Sequence, residues 1–332
     1  MSEWSVAEPK KLSFDDPVTT LRVRVVNGTV NVVGTDEGSA RLEVSELEGP
    51  PLQVTQEGGT LTVAYEDLPW KGFLKWLDRK GWRRAAVVSL AVPTGTRVEV
   101  GVVGAAAVVS GVDGRVEVKG VTGDTTLVRV AGPVRVDTVS GNLEAQAVTG
   151  DLRFHSVSGD LTVVEGSGTS VRAESVSGSM IVDLDATGAP TDVQLSNVSG
   201  EIAIRLPHPA DAEVEANTAS GTVSSAFEDL RVNGQWGAKK ITGRLGAGNG
   251  RLKAVTVSGS IALLRRPSAE DETYDEAPEP RDTAPPTGPV DTAGHATGDT
   301  TSGTPSDTAS DTVGDDAAEG RPADTPTDKK VL

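Results

Sequence analysis

The chain has 332 residues, no cysteine, 38 glycines, only 3% aromatic residues and a net charge of −17 at pH 7. Without cysteine there is no disulfide framework, no thiolate metal site and no cysteine nucleophile. The acidic balance argues against nucleic acid as a partner, and a composition rich in Gly, Val, Thr and Ser favours strands and turns over helices.

In chain order, residues 1–13 read as a flexible N-terminus. The start, MSEWSVAEPKKLSF, has two lysines but no apolar core behind them, so it does not read as a secretory signal. The longest uncharged apolar stretch, Val100 to Val112, is too short and glycine-rich for a bilayer span. The expected location is therefore cytoplasmic, with membrane association through a partner. Residues 14–266 form the predicted structured domain, opening with a strand region over 14–100.

That region is interrupted at 69–84 by P-W-K-G-F-L-K-W-L-D-R-K-G-W-R-R, with six basic residues against Asp78. Trp70, Phe73, Leu74 and Leu77 recur at helical spacing, and Lys71, Lys75 and Arg79 follow one edge. The pattern predicts a short amphipathic helix with a basic face. Its residues Trp70, Lys71, Phe73, Lys75, Trp76, Arg79, Trp82, Arg83 and Arg84 are the candidate docking site, for a protein partner or an anionic membrane surface. The alternative is a cap over the open end of a strand stack.

Over 101–264 the chain repeats. Glycines fall every nine residues at Gly114, Gly123, Gly132, Gly141, Gly150, Gly159 and Gly168, then loosen to Gly178, Gly188, Gly200, Gly221 and Gly259. Every second step is marked V-[TS]-G-[DNSE], at Val121, Val139, Val157, Val176 and Val198. Between the corners apolar side chains alternate, as with Leu152 and Phe154, which is the period of a half-buried strand. The unit predicts an all-β fold: a β-solenoid, a β-helix-like stack in which neighbouring coils bury what one coil cannot. A long antiparallel sandwich of hairpins is the competing architecture. Stacked corners would align Thr122, Ser140, Ser158, Ser177 and Ser199 as a polar ladder, and the preceding valines as an apolar one. Glycine is expected at the corners for its backbone freedom.

The recurrent V-S-G-[DNSE]-[LIM] pattern resembles the bacterial "putative adhesin" family, a toastrack-like β-strand-repeat domain of unknown function. Leu21 to Gly34 looks like that family's first hairpin, Val87 to Thr96 like the entry to its repeats, and Glu201 to Pro207 with Thr218 to Val223 like its late segment. The resemblance covers Phe14 to Leu264 and carries no catalytic motif. It implies a strand-stack scaffold, linked in relatives to membrane stress proteins or the cell surface.

Residues 267–332 hold 16 acidic and 4 basic side chains, 9 of the chain's 19 prolines, and Tyr274 as their one aromatic. Such a segment cannot bury enough surface to offset its ordering entropy, so a disordered acidic tail is predicted.

No enzyme chemistry is expected. His155, His208 and His295 are scattered, and no Ser-centred motif has a nucleophile-elbow context. Asp124, Asp151 and Asp160 follow corner glycines, but as lone G-D steps rather than the tandem glycine-aspartate repeat of a calcium β-roll. No cofactor and no metal are expected. The function expected is a non-enzymatic scaffold or protein-interaction module linked to envelope stress or membrane partners. The alternatives are a surface adhesin exported without a recognisable signal and, third, a carbohydrate-active β-helix enzyme.

Overall fold

A computed structural model describes residues 1–65, 84–185, 192–235 and 237–266. These fall in one unit, Met1–Ala277, and the second unit, Pro278–Leu332, lies outside them, as does the whole predicted tail 267–332. The described residues are all strand, turn and loop, in two sheets of 14 and 12 strands.

The stacking rule is visible in register. In the first sheet, Val116 stands beside Val134, Val134 beside Leu152 and Leu152 beside Val171. In the second, Thr125 stands beside Leu143, Leu143 beside Leu161 and Leu161 beside Met180. All these pairings are parallel. The chain thus crosses from one sheet to the other at every corner, and a coil returns to the same place after two nine-residue steps. This is the β-solenoid and not the sandwich of hairpins. Inward side chains of both sheets form one dry core. Phe154, fully buried, stands in register between Val136 and Ala173, large beside small.

The corners explain the V-S-G-D phrase residue by residue. The serine amide donates to the carbonyl of the valine one coil back: Ser140 N to Val121 O at 2.8 Å, Ser158 N to Val139 O at 2.8 Å, Ser177 N to Val157 O at 2.9 Å. Glycine follows because the coils nearly touch there. A Cβ on Gly159 would lie 2.1 Å from the carbonyl oxygen of Gly141, and one on Gly141 equally close to that of Gly123. Close approach of backbone, and not the expected backbone freedom, is what excludes a side chain at these two positions. The acidic residue links coils. Asp124 Oδ1 accepts from the amide of Asn142 at 2.9 Å, Asn142 Oδ1 from that of Asp160 at 3.0 Å, and Asp160 Oδ1 from that of Ser179 at 2.7 Å. The valines do align, but outward: Val157, Val176, Val198 and Val257 are each about half exposed.

On the opposite corner Arg129, Ala147 and Glu165 occupy the left-handed region, with φ of 50°, 51° and 54°. A residue with a Cβ is strained there by about 1 kcal/mol. Ala147→Gly is therefore expected to stabilise the fold by of order 0.5 kcal/mol after glycine's extra unfolded-state entropy, seen as a raised urea midpoint. An unchanged or lowered midpoint would show that the turn is not strained.

The two ends depart from the rule. Residues 1–13, expected to be flexible, instead contribute the edge strands Ser2–Val6 and Lys10–Phe14, one at the end of each sheet. Both pair antiparallel with their neighbours. Trp4 meets Phe14 edge to face, with ring centroids 5.3 Å apart, and so joins the two sheets at the mouth of the core. The expected hairpin over Leu21 to Gly34 is also corrected. Thr20–Val25 pairs in the first sheet and Asn27–Thr35 in the second, because the segment turns a corner from one side of a coil to the other. At the far end Ala238–Leu245 and Arg231–Gln235 extend the first sheet by two antiparallel strands beyond the last coil. Leu230, buried, closes the core there with half-buried Phe227 packed against it.

Candidate docking surface

The outward faces of the two sheets differ in chemistry. Across successive strands of the second sheet the outward row reads Asn31, Val108, Thr126, Glu144, Thr162, Ile181, Ala203 and Ala262. Its one charge is Glu144. The matching row of the first sheet reads Arg22, Glu99, Glu117, Arg135, Arg153, Arg172, Gln194 and Lys253. Every position in it but Gln194 is charged.

Much of that charge is internally matched. Glu99 lies 3.1 Å from Arg22 and 2.8 Å from Arg97, and Glu117 lies 2.6 Å from Lys119. The hydrogen bond from Lys119 holds the Glu117 carboxyl below its ordinary range, with Arg97 and Arg115 adding to the effect against partial burial. Arg135 grips Asp137 with two hydrogen bonds, at 2.8 and 3.0 Å, and His155 Nδ1 lies 3.1 Å from the same carboxylate. Arg172 pairs with Asp192 at 2.7 Å.

Toward the C-terminal end of this face the balance tips. A shallow groove of about 940 Å³ is lined by Arg231, Lys240, Arg244, Arg251 and Lys253, against two carboxylates, Glu213 and Glu215. Glu215 accepts from Lys240 Nζ at 2.8 Å, which is the main reason its carboxyl is held low; Asn217 donates to it as well. Arg231, Arg244, Arg251 and Lys253 are exposed and make no ion pair with a described residue.

Local structure sets one of these cations, Arg244. The turn between Ala238–Leu245 and Gly250–Ser258 is tied down by Asp211. Its carboxylate accepts from the amides of Gly248 at 2.6 Å and Asn249 at 2.9 Å, and from the Asn249 side chain at 2.7 Å. Those bonds, led by the Asn249 amide, hold the Asp211 carboxyl below its ordinary range. Gly248 has φ of +77°, and a Cβ on it would meet the Arg244 side chain at 2.8 Å. A bare backbone at 248 therefore gives Arg244 its path across the turn. Arginine presents a planar fork whose geometry matches oxyanions such as carboxylates, and three arginines and a lysine open on this one groove.

Of the residues expected to dock a partner, Trp70, Lys71, Phe73, Lys75, Trp76, Arg79, Trp82 and Arg83 lie outside the described residues, as does the predicted helix that carries them. Arg84 lies within them, just ahead of the strand Ala85–Pro93. Its guanidinium sits 5.4 Å from the centroid of the buried Tyr65 ring, and its carbonyl accepts from Asn27 N and Nδ2. That is a packing role at the sheet corner. The groove leaves no mark in the repeat pattern because it falls where the nine-residue rhythm has lapsed. The usable signal was alternation: Arg251 and Lys253 flank Leu252, and Lys240, Thr242 and Arg244 skip across Ile241 and Gly243, each set on one face.

The fold is thus a parallel two-sheet β-solenoid with glycine corners, antiparallel ends and a first sheet whose outward face is the more highly charged. The chain belongs to the Toastrack DUF4097 family, whose model matches residues 18–264. That family is a domain of unknown function. No curated protein matches the chain. Among solved structures, a putative lipid binding protein from Parabacteroides distasonis is similar at 14% identity, over 79% of this chain and 98% of that one, with a TM-score of 0.38. A putative cell adhesion protein from Clostridium sporogenes is similar at 10% identity, over 78% of this chain and 100% of that one, with a TM-score of 0.26. Superpositions this loose carry no argument about what the chain does.

Proposed function

We propose that the chain is a non-enzymatic interaction scaffold, and that its charged sheet holds an acidic partner protein in the groove between Arg231 and Lys253. The observation that carries this reading is the set of four cations that make no ion pair among the described residues, on a face where most other charges are matched. The net charge selects among anionic partners. At −17 overall, the chain repels an extended polyanion such as nucleic acid at long range, while a groove of cations still attracts a short acidic segment at close quarters. An envelope or membrane-stress partner with an acidic exposed segment fits this chemistry.

The test is binding of a labelled oligoglutamate peptide to the full chain, compared with the triple variant Arg244→Glu, Arg251→Glu, Lys253→Glu. Three exposed pairs at about 0.2–1 kcal/mol each are together worth roughly a factor of ten in affinity. The variant is expected to lose at least that, and wild-type binding to weaken steeply with added salt. Equal, salt-insensitive binding by both proteins would overturn the reading.

A further inference from the structure

We propose that the free edge of the first sheet, the strand Arg231–Gln235, accepts an extended segment of the partner as one more strand, and that this segment alternates acidic with apolar side chains. The inference rests on the docking reading above and adds the mode of binding and the sequence pattern recognised.

Four strands end the two sheets. An exposed edge is a template for another chain, and proteins usually blunt it. Lys10–Phe14 begins with two exposed lysines, Val223–Ser225 is only 3 residues long, and Ser2–Val6 is pinned to the core through Trp4 and buried Val6. Arg231–Gln235, with sequence RVNGQ, has no lysine, no proline and no break in its register with Ala238–Leu245. Its residues Arg231 to Gly234 are all exposed, so both of its faces are open.

The two faces ask for different chemistry. The first sheet runs two strands past the last coil, and the short end strand of the second sheet, Val223–Ser225, approaches this edge without covering it. Val232 is left 52% exposed there, although its register partner Ile241 is fully buried. On the other face Arg231 opens onto the groove, with Lys240 and Arg244 one strand further in. A strand added about 4.8 Å outside this edge places alternate side chains on opposite faces. Those beside Val232 gain by being apolar, and those beside Arg231 by being acidic. Main-chain hydrogen bonds supply affinity and the alternation supplies selection, as in other strand-addition complexes. A second copy of the chain fits less well, since Arg231–Gln235 offers no carboxylate to its own arginine.

The test uses the full chain and a short synthetic peptide alternating Glu and Val, with a control of the same composition in two blocks. Binding of the alternating peptide is expected to slow amide hydrogen exchange at 231–235 and to exceed that of the block peptide about tenfold. Val232→Lys, a change at an exposed position, is expected to remove that advantage without lowering the melting temperature. If Val232→Lys binds like wild type, or exchange at 231–235 is unchanged on binding, strand addition is wrong while the groove reading stands. If the groove triple variant also binds like wild type, both are wrong. Self-association of the peptide-free chain, abolished by Val232→Lys, would overturn the acidic occupant in favour of a second copy.

Discussion

Gly159→Ala is expected to be among the most damaging single-methyl additions to the stack. The new Cβ would lie 2.1 Å from the Gly141 carbonyl oxygen and 2.8 Å from Ser156 Oγ, and the first of these is backbone that cannot rotate away. Relief requires the two coils to separate, and Gly159's own carbonyl in turn supports Gly178, since a Cβ there would lie 2.4 Å from it. In a stack stabilised by nearest-neighbour interfaces, one such wedge weakens the interface on each side. A loss of about 3 kcal/mol, the upper end for overpacking, is the expected scale. Gly95→Ala is the matched control: nothing lies within 4 Å of the added methyl, so it should be neutral or mildly stabilising. Calorimetric melting of both decides the matter. If Gly159→Ala melts with Gly95→Ala, the corners are not in contact and the account of the V-S-G-D phrase fails.

Phe154→Ala should cost about 3–5 kcal/mol, the range for emptying a fully buried aromatic site. The ring is 0% exposed and stands between Val136 and Ala173 in register. The β-backbone around it is held by parallel hydrogen bonds on both sides, so the site cannot collapse easily to fill the void. Val157→Ala, three residues on, removes a side chain that is 51% exposed and should shift stability by less than about 0.5 kcal/mol. Urea unfolding of the two variants separates inward from corner positions within one coil. Equal midpoints would mean that the burial pattern of the strand Leu152–His155 is wrong.

What the sequence made legible follows from locality. Alternation such as Leu152, Phe154 is written within one strand, and the nine-residue step between glycines is written between neighbours, so the strands, the stack and their inward faces could be read directly. Three things could not. Ser2–Val6 and Lys10–Phe14 look polar because an edge strand buries little, Trp4 and Leu12 half and Val6 and Phe14 fully, so their distant pairing partners, Leu52–Glu57 and Ala40–Glu48, leave no local trace. Thr20–Val25 and Asn27–Thr35 have the alternation of a hairpin, and only their pairing with later strands sends them to opposite sheets. The groove depends on a register shared by Arg231, Arg244, Arg251 and Lys253, set by antiparallel strands that break the repeat. The tryptophans of 69–84 are by contrast conspicuous in composition alone.

The side chains that link Asp124 to Asn142, Asn142 to Asp160 and Asp160 to Ser179 make each corner the mould for the next. Any coil with the same phrase can stand on any other. The gene can therefore change by copying or dropping a whole turn of the stack with every bond remade at the splice, whereas gain or loss of a single residue inside a strand turns its core side chains out to water. The number of turns is then the freely variable dimension of this protein, and the spacing between its two differently built ends is what such editing would adjust.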